Sequence, residues 1–144
     1  MPSHLSLEYP AELPALDSLN DSIDSFAEAQ GWSAEFLFKV KLVLEEVVIN
    51  VVSYGSEGDR IPKVQVRLNQ DDGQLVIRID DDGIAFDPLR QAPPDLEASL
   101  EDRPIGGLGV YLVRQLMDSV SYQRDGDWNR LTVSTSLPEA KVGG

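Results

Sequence analysis

Residues 42–55 read LVLEEVVINVVSYG. Drawn as a helix, this stretch is apolar on nearly every side, so it belongs inside a core and not on a surface. Yet Glu45, Glu46 and Asn50 stand in its middle. A polar group buried without a partner costs about 1–3 kcal/mol, so each must be hydrogen-bonded or must serve a ligand. Glu46 and Asn50 are four residues apart and share a helix face. A bond to a neighbouring turn would account for them as well as a ligand would. Glu45 differs: it follows Lys41 by four residues, and a surface ion pair between the two explains it without function.

Upstream, Gly31 ends one helix and Ser33 is a suitable N-cap for the next, with Glu35 in the first turn. This second helix runs to about Tyr54. Residues 12–30 repeat apolar groups at Leu13, Leu16, Leu19, Ile23, Phe26 and Ala27, a helical spacing with Pro14 tolerated in the first turn. Before it, Leu5, Leu7 and Tyr9 alternate with polar groups, as in a half-buried strand over 3–9.

Downstream, Gly55, Gly58 and Pro62 mark a loop. Val64, Val66 and Leu68 alternate with polar groups in a strand over 63–69, and Asp72-Gly73 marks a hairpin turn. In the strand 75–82, Leu75, Ile77, Ile79 and Asp81 share the core-facing side. Asp80 and Asp82 fall on the other side and are expected to be solvated. Residues 87–105 hold four prolines and read as a long loop of the kind that forms lids. Gly106-Gly107-Leu108-Gly109 opens a third helix to about Asp118. Strands at 120–124 and 130–137 follow, then a frayed tail at 138–144. Trp32 and Trp128 read as packing residues.

The clean alternation means that the sheet is covered on one face only. This predicts an α+β chain, a two-layer α/β sandwich with a mixed, mostly antiparallel sheet and three helices on one face. A length of 144 residues suits one domain.

Composition removes several functions. There is no cysteine, so no disulfide framework or thiolate chemistry is expected, and the one histidine, His4, cannot supply a histidine-rich metal site. A net charge of −13 argues against direct nucleic-acid binding, which needs cations to displace counterions. No apolar run approaches a membrane span and no leader is visible, so the expected setting is the cytoplasm.

Three segments make chemical sense around one ligand. A buried carboxylate at Asp81 can accept a hydrogen bond from an exocyclic amine such as that of adenine, and Gly83 would admit a flat base close to the backbone. The glycines before the third helix present free N–H groups to an anion. Asn50 offers a neutral oxygen to Mg²⁺, and Glu46 could take a proton from an attacking hydroxyl.

The order E-x-x-x-N, then D-x-G-x-A in IDDDGIAFDP, then G-x-G in GGLGVYLVRQLMDSVSY resembles the boxes of the GHKL ATPase/kinase superfamily, whose nucleotide module is the Bergerat fold. Within it the compact chain is similar to the bacterial anti-sigma-factor serine/threonine protein kinases. The resemblance spans the chain from the first strand to Leu137. It implies that Asn50 holds Mg²⁺, that Asp81 meets the adenine amine with Gly83 and Ala85 beside it, and that Gly107, Leu108 and Gly109 border the triphosphate. Residues 87–105 would be the ATP lid, with Arg103 a candidate phosphate contact, and Glu46 would be the general base. It further implies phosphorylation of an anti-anti-sigma antagonist of the STAS fold, sequestration of a sigma factor, and a homodimer. The family often carries a threonine near the last strand where this chain has Gly126 to Arg130, so Asn129 is the adenine-side candidate. Tyr54 stands where many relatives have histidine. Two other functions remain open: a nucleotide-gated binding module without catalysis, and a detached sensor-histidine-kinase catalytic domain.

Overall fold

The computed structural model describes residues 3–56, 58–90 and 113–138. The elements run β1 (Ser3–Pro10), α1 (Ala15–Gln30), α2 (Ala34–Tyr54), β2 (Lys63–Asp71), β3 (Gln74–Asp81), β4 (Ser119–Asp125) and β5 (Trp128–Ser136), with a 3₁₀ turn at Pro88–Arg90 and helical residues at 113–116.

Local chemistry sets the boundaries. The Ser33 hydroxyl accepts from the Phe36 N–H at 3.1 Å and caps α2. Gly31 ends α1 in the left-handed conformation, φ 72°. The first helix starts at Ala15, three residues later than the apolar spacing suggested, because Pro14 serves as its N-cap. Asp72 and Gly73 both take positive φ, 51° and 77°, as a two-residue hairpin loop requires.

The sheet order is β1-β2-β3-β5-β4, and all four pairings are antiparallel. Inward residues of the strands, such as Val66, Leu68, Ile77 and Val133, are wholly buried against Ile23 of α1 and Val40 of α2. Burial of each such side chain contributes about 1.5–3 kcal/mol. Trp32 closes the seam between the helices. Its ring meets Phe26 and Phe36 edge-on, and its Nε1 donates to Gln70 Oε1 at 2.8 Å.

The chain leaves the sheet after β3 and returns on the far edge as β4, and β5 then inserts between β3 and β4. This topology sets the end of β3 beside the start of β5, so that Asp81 pairs directly with Asn129.

Two sequence expectations are corrected. Asp80 faces the open side of the sheet but is only 4% exposed. Arg78 lies over it with Nε and Nη2 at 3.0 and 2.9 Å from Oδ2, and Arg130 Nε approaches Oδ1 at 3.5 Å. The arginine stems exclude the water that alternation alone would supply. Asp82 is likewise engaged, accepting from Arg60 and from the Lys63 N–H, each at 2.7 Å. The second correction concerns Lys41, which pairs with Asp24 of α1 at 2.5 Å, while Glu45 accepts from Asn20 at 3.0 Å. Partners on the neighbouring helix win over the pair four residues apart.

Candidate nucleotide site

A cleft lies between the C-terminal half of α2 and the ends of β3, β4 and β5. Among the described residues its wall is largely apolar, with Val47, Val51, Ile79 and Leu131 among its members, and its polar members are few: Asn50, Asp81, Tyr122 and Asn129. An apolar slot with a small number of placed polar groups suits a planar ligand.

Asp81 enters the cleft because strand phase turns it inward at the last residue of β3. It is 7% exposed. Its Oδ1 accepts from the Gly83 N–H at 3.0 Å and from Asn129 Nδ2 at 2.9 Å. Burial pushes its carboxyl above the ordinary carboxylate value. The bonds from Asn129 and Gly83 and the Arg124 charge pull it back, while Asp82 adds to the rise.

Asn50 comes from α2 and is 5% exposed. Its Oδ1 is buried and has no hydrogen-bond partner among the described residues. An amide oxygen at the wall of a cleft can accept a hydrogen bond or coordinate a hard cation. One turn earlier, Glu46 is half-buried and lies outside the cleft lining. Burial first, and the like charge of Glu45 second, raise its carboxyl above the ordinary value.

The loop after β3 is held from several directions. Ile84 N–H donates to Gly55 O at 2.9 Å, Arg124 Nη1 to Gly83 O at 2.9 Å, and Arg60 Nη1 to Asp82 O at 2.8 Å. Gly83 is packed against the chain's own backbone: a β-carbon there would lie 2.4 Å from Gly55 O. Phe86 stacks on Tyr54 at 5.2 Å and 16°, so Tyr54 belongs to the rim of this region. Ala85 is exposed and does not line the cleft.

The structure thus brings Asn50, Asp81 and Asn129 to one cleft, with Gly83 in the adjoining loop. Arg103, Gly107, Leu108 and Gly109 lie outside the described residues, as do most of the 87–105 loop, the start of the third helix and the tail after Pro138. Sequence reading missed Tyr122, Arg124 and Phe86. Tyr122 carried a signal, since it falls in phase with Val120 on the covered face of β4. Arg124 carried none, because its bond to Gly83 O depends on which strand β4 lies beside.

Fold and cleft together define a nucleotide-binding domain of the GHKL type, with a buried acid, Asp81, at the end of a central strand and an asparagine, Asn50, on the buried helix. The chain belongs to the histidine kinase-like ATPase domain family, whose model matches residues 9–135. It is 34% identical over 119 residues to the serine/threonine-protein kinase BtrW of Bordetella bronchiseptica, covering 82% of this chain and 84% of that one. It is 27% identical over 129 residues to the serine-protein kinase RsbW of Listeria monocytogenes, covering 87% and 82%. Among solved structures, the RsbU and RsbW domains of Rv1364c from Mycobacterium tuberculosis superpose with a TM-score of 0.67 at 15% identity. That match covers 97% of this chain and 33% of that longer one, and it speaks for the fold. Among the described residues, no helix is long and apolar enough to cross a membrane.

Proposed function

We propose that this chain is an ATP-dependent protein-serine/threonine kinase that also serves as an anti-sigma factor. On this reading it is a single cytoplasmic domain that phosphorylates a small STAS-type anti-anti-sigma protein and holds a sigma factor inactive, as a homodimer and without touching nucleic acid or membrane. The observation that carries the nucleotide part is the juxtaposition in one cleft of the buried Asp81 carboxylate and a buried Asn50 Oδ1 that has no hydrogen-bond partner among the described residues. The names of the relatives support the kinase part.

The residues fit Mg²⁺-ATP. Asn50 would hold Mg²⁺, which when bound neutralises phosphate charge. Asp81 would accept from the adenine amine, and Ile79 and Val51 would supply apolar wall to the base. Gly107, Leu108, Gly109 and Arg103 remain the phosphate-side candidates. In the transfer, the substrate hydroxyl oxygen forms a bond to the γ-phosphorus while the bond from that phosphorus to the β–γ bridging oxygen breaks. ADP leaves, and the hydroxyl proton passes to the Glu46 carboxylate. A carboxyl raised by burial is a better proton acceptor than a solvated one.

The test is calorimetric binding of Mg²⁺-ATP beside Mg²⁺-GTP and beside Asn50→Ala, followed by transfer of labelled phosphate to a STAS-domain protein bearing a serine. Binding that prefers ATP and weakens in the variant, with label on the serine, is the expected result. Nucleotide binding with no transfer to any such protein would leave a nucleotide-gated binding module in its place.

A further inference from the structure

We propose that Asn129 is a positioning residue for nucleotide selection: its amide, braced by Tyr122, fixes which oxygen of Asp81 is left for the base, and does so without touching the base. This rests on the nucleotide-site reading above. The side chain is 5% exposed and pairs across the sheet with Asp81. Its Nδ2 donates to Asp81 Oδ1 at 2.9 Å and to Ile84 O at 2.7 Å. Its Oδ1 accepts from the Phe86 N–H at 3.2 Å and from the Tyr122 hydroxyl. A primary amide has two N–H donors and one oxygen with two lone pairs. All four capacities are in use, so a direct bond to a base would have to break one of them.

The orientation is also determined. Two acceptors face the nitrogen, and two donors face the oxygen. A flipped amide would set its oxygen against a carboxylate and a carbonyl. A hydroxyl at this position has a single proton to donate and could not serve both Asp81 and Ile84.

The consequence falls on Asp81. Its Oδ1 is filled by Asn129 and Gly83, and its Oδ2 receives no hydrogen bond among the described residues. A carboxylate fixed in this way offers one acceptor to the cleft. That matches the amine of adenine and opposes the carbonyl oxygen of guanine. The same amide holds Ile84 and Phe86, and so ties the acid to the loop whose ring stacks on Tyr54. Among the described residues, the ionisable groups facing Asp81 are Asp82 next to it and Arg124 and Tyr122 from β4.

The experiment is calorimetric titration of the full chain with Mg²⁺-ATP and Mg²⁺-GTP, from about pH 5 to about pH 8, for wild type, Asn129→Asp and Tyr122→Phe. Asn129→Asp keeps the shape and replaces the donor by an acceptor. It should weaken ATP binding roughly 30-fold at neutral pH and erase most of the preference over GTP. The loss should shrink as pH falls, because two facing carboxylates share a proton that restores a donor, while wild-type affinity declines over the same range. Tyr122→Phe should weaken ATP binding about threefold, because Phe86 N–H still holds the amide oxygen. An Asn129→Asp protein with wild-type affinity, or with a uniform loss at every pH, would overturn the inference, since a merely structural role predicts no change of profile. Should Asn129→Asp fail to fold in thermal unfolding, unchanged affinity of Tyr122→Phe overturns it instead. Failure of the wild type to bind ATP would strike the nucleotide reading itself, whereas binding by wild type with indifferent variants strikes this inference alone.

Discussion

Gly83 lies so close to Gly55 that a β-carbon on it would stand 2.4 Å from the Gly55 carbonyl oxygen, the atom that accepts the Ile84 N–H. The glycine of the D-x-G element is therefore required by the protein's own backbone before any base arrives. It joins the end of α2, which carries Asn50, to the end of β3, which carries Asp81. Gly83→Ala must push the two apart and should destabilise the fold by about 1–3 kcal/mol, as other overpacked sites do. Urea unfolding reads this directly. An unchanged midpoint would mean that the two segments separate freely, and that the glycine is there for the ligand.

Asn50 predicts the opposite sign. Its buried Oδ1 has no partner among the described residues, so among them it is an unsatisfied acceptor. Asn50→Leu has similar volume and removes that acceptor, and should raise stability by about 1 kcal/mol or more. The same variant should lose Mg²⁺-dependent nucleotide binding. Urea unfolding and calorimetry on one preparation check both halves. A variant that is less stable and still binds would place the oxygen in a structural role.

Much of this arrangement was legible from residue patterns. The apolar helix with Asn50 inside it, the Ser33 cap, the Asp72-Gly73 turn and the inward phase of Asp81 each follow from a local rule, and local rules transfer. Asp80 was misread because period 2 gives the face of a residue and not what covers that face. Here Arg78 and Arg130 cover it. Lys41 was misassigned because a helix rule names the neighbour on the same helix, whereas α1 supplies Asp24. Asn129 was named as an adenine-side residue, but its four bonds depend on β5 inserting beside β3, a strand order that no local spacing encodes.

Asp81 links binding to pH. Its folded carboxyl titrates above the ordinary carboxylate value, chiefly through burial. The folded chain therefore binds this proton more readily than the unfolded chain. The contribution of Asp81 to stability then falls as pH rises from the ordinary value to the raised one, and the full penalty holds above it. Asp81→Asn keeps an Oδ1 acceptor for Gly83 and Asn129 and removes the buried charge. It should be more stable than wild type at neutral pH, with the difference vanishing in acid below the ordinary carboxylate value. ATP affinity should drop about 10–100-fold with the loss of a charge-assisted bond. In wild type, ATP affinity should weaken as pH is lowered through the raised value. Thermal unfolding and calorimetry across pH test the pair, and a destabilised Asp81→Asn at neutral pH would contradict the linkage.

Glu46 and Glu45 make a separable pair for the chemical step. Burial is the larger cause of the raised Glu46 carboxyl, and the neighbouring Glu45 charge is the smaller. If Glu46 accepts the hydroxyl proton, Glu46→Gln should lower the transfer rate about 10²–10⁴-fold while leaving ATP affinity near wild type. The rate should also fall on the acid side, through a value above that of an ordinary carboxylate, because the protonated base is inactive. Glu45→Gln removes the like charge and keeps an oxygen that can accept from Asn20. It should shift the acid limb to lower pH without abolishing it, since burial remains. A single-turnover assay with labelled ATP and a serine-bearing STAS protein, run across pH on both variants, reads these effects. An acid limb that stays in place in Glu45→Gln, or a Glu46→Gln enzyme that transfers at the wild-type rate, would assign the proton to another group and leave Glu46 as a half-buried neighbour of Asn50.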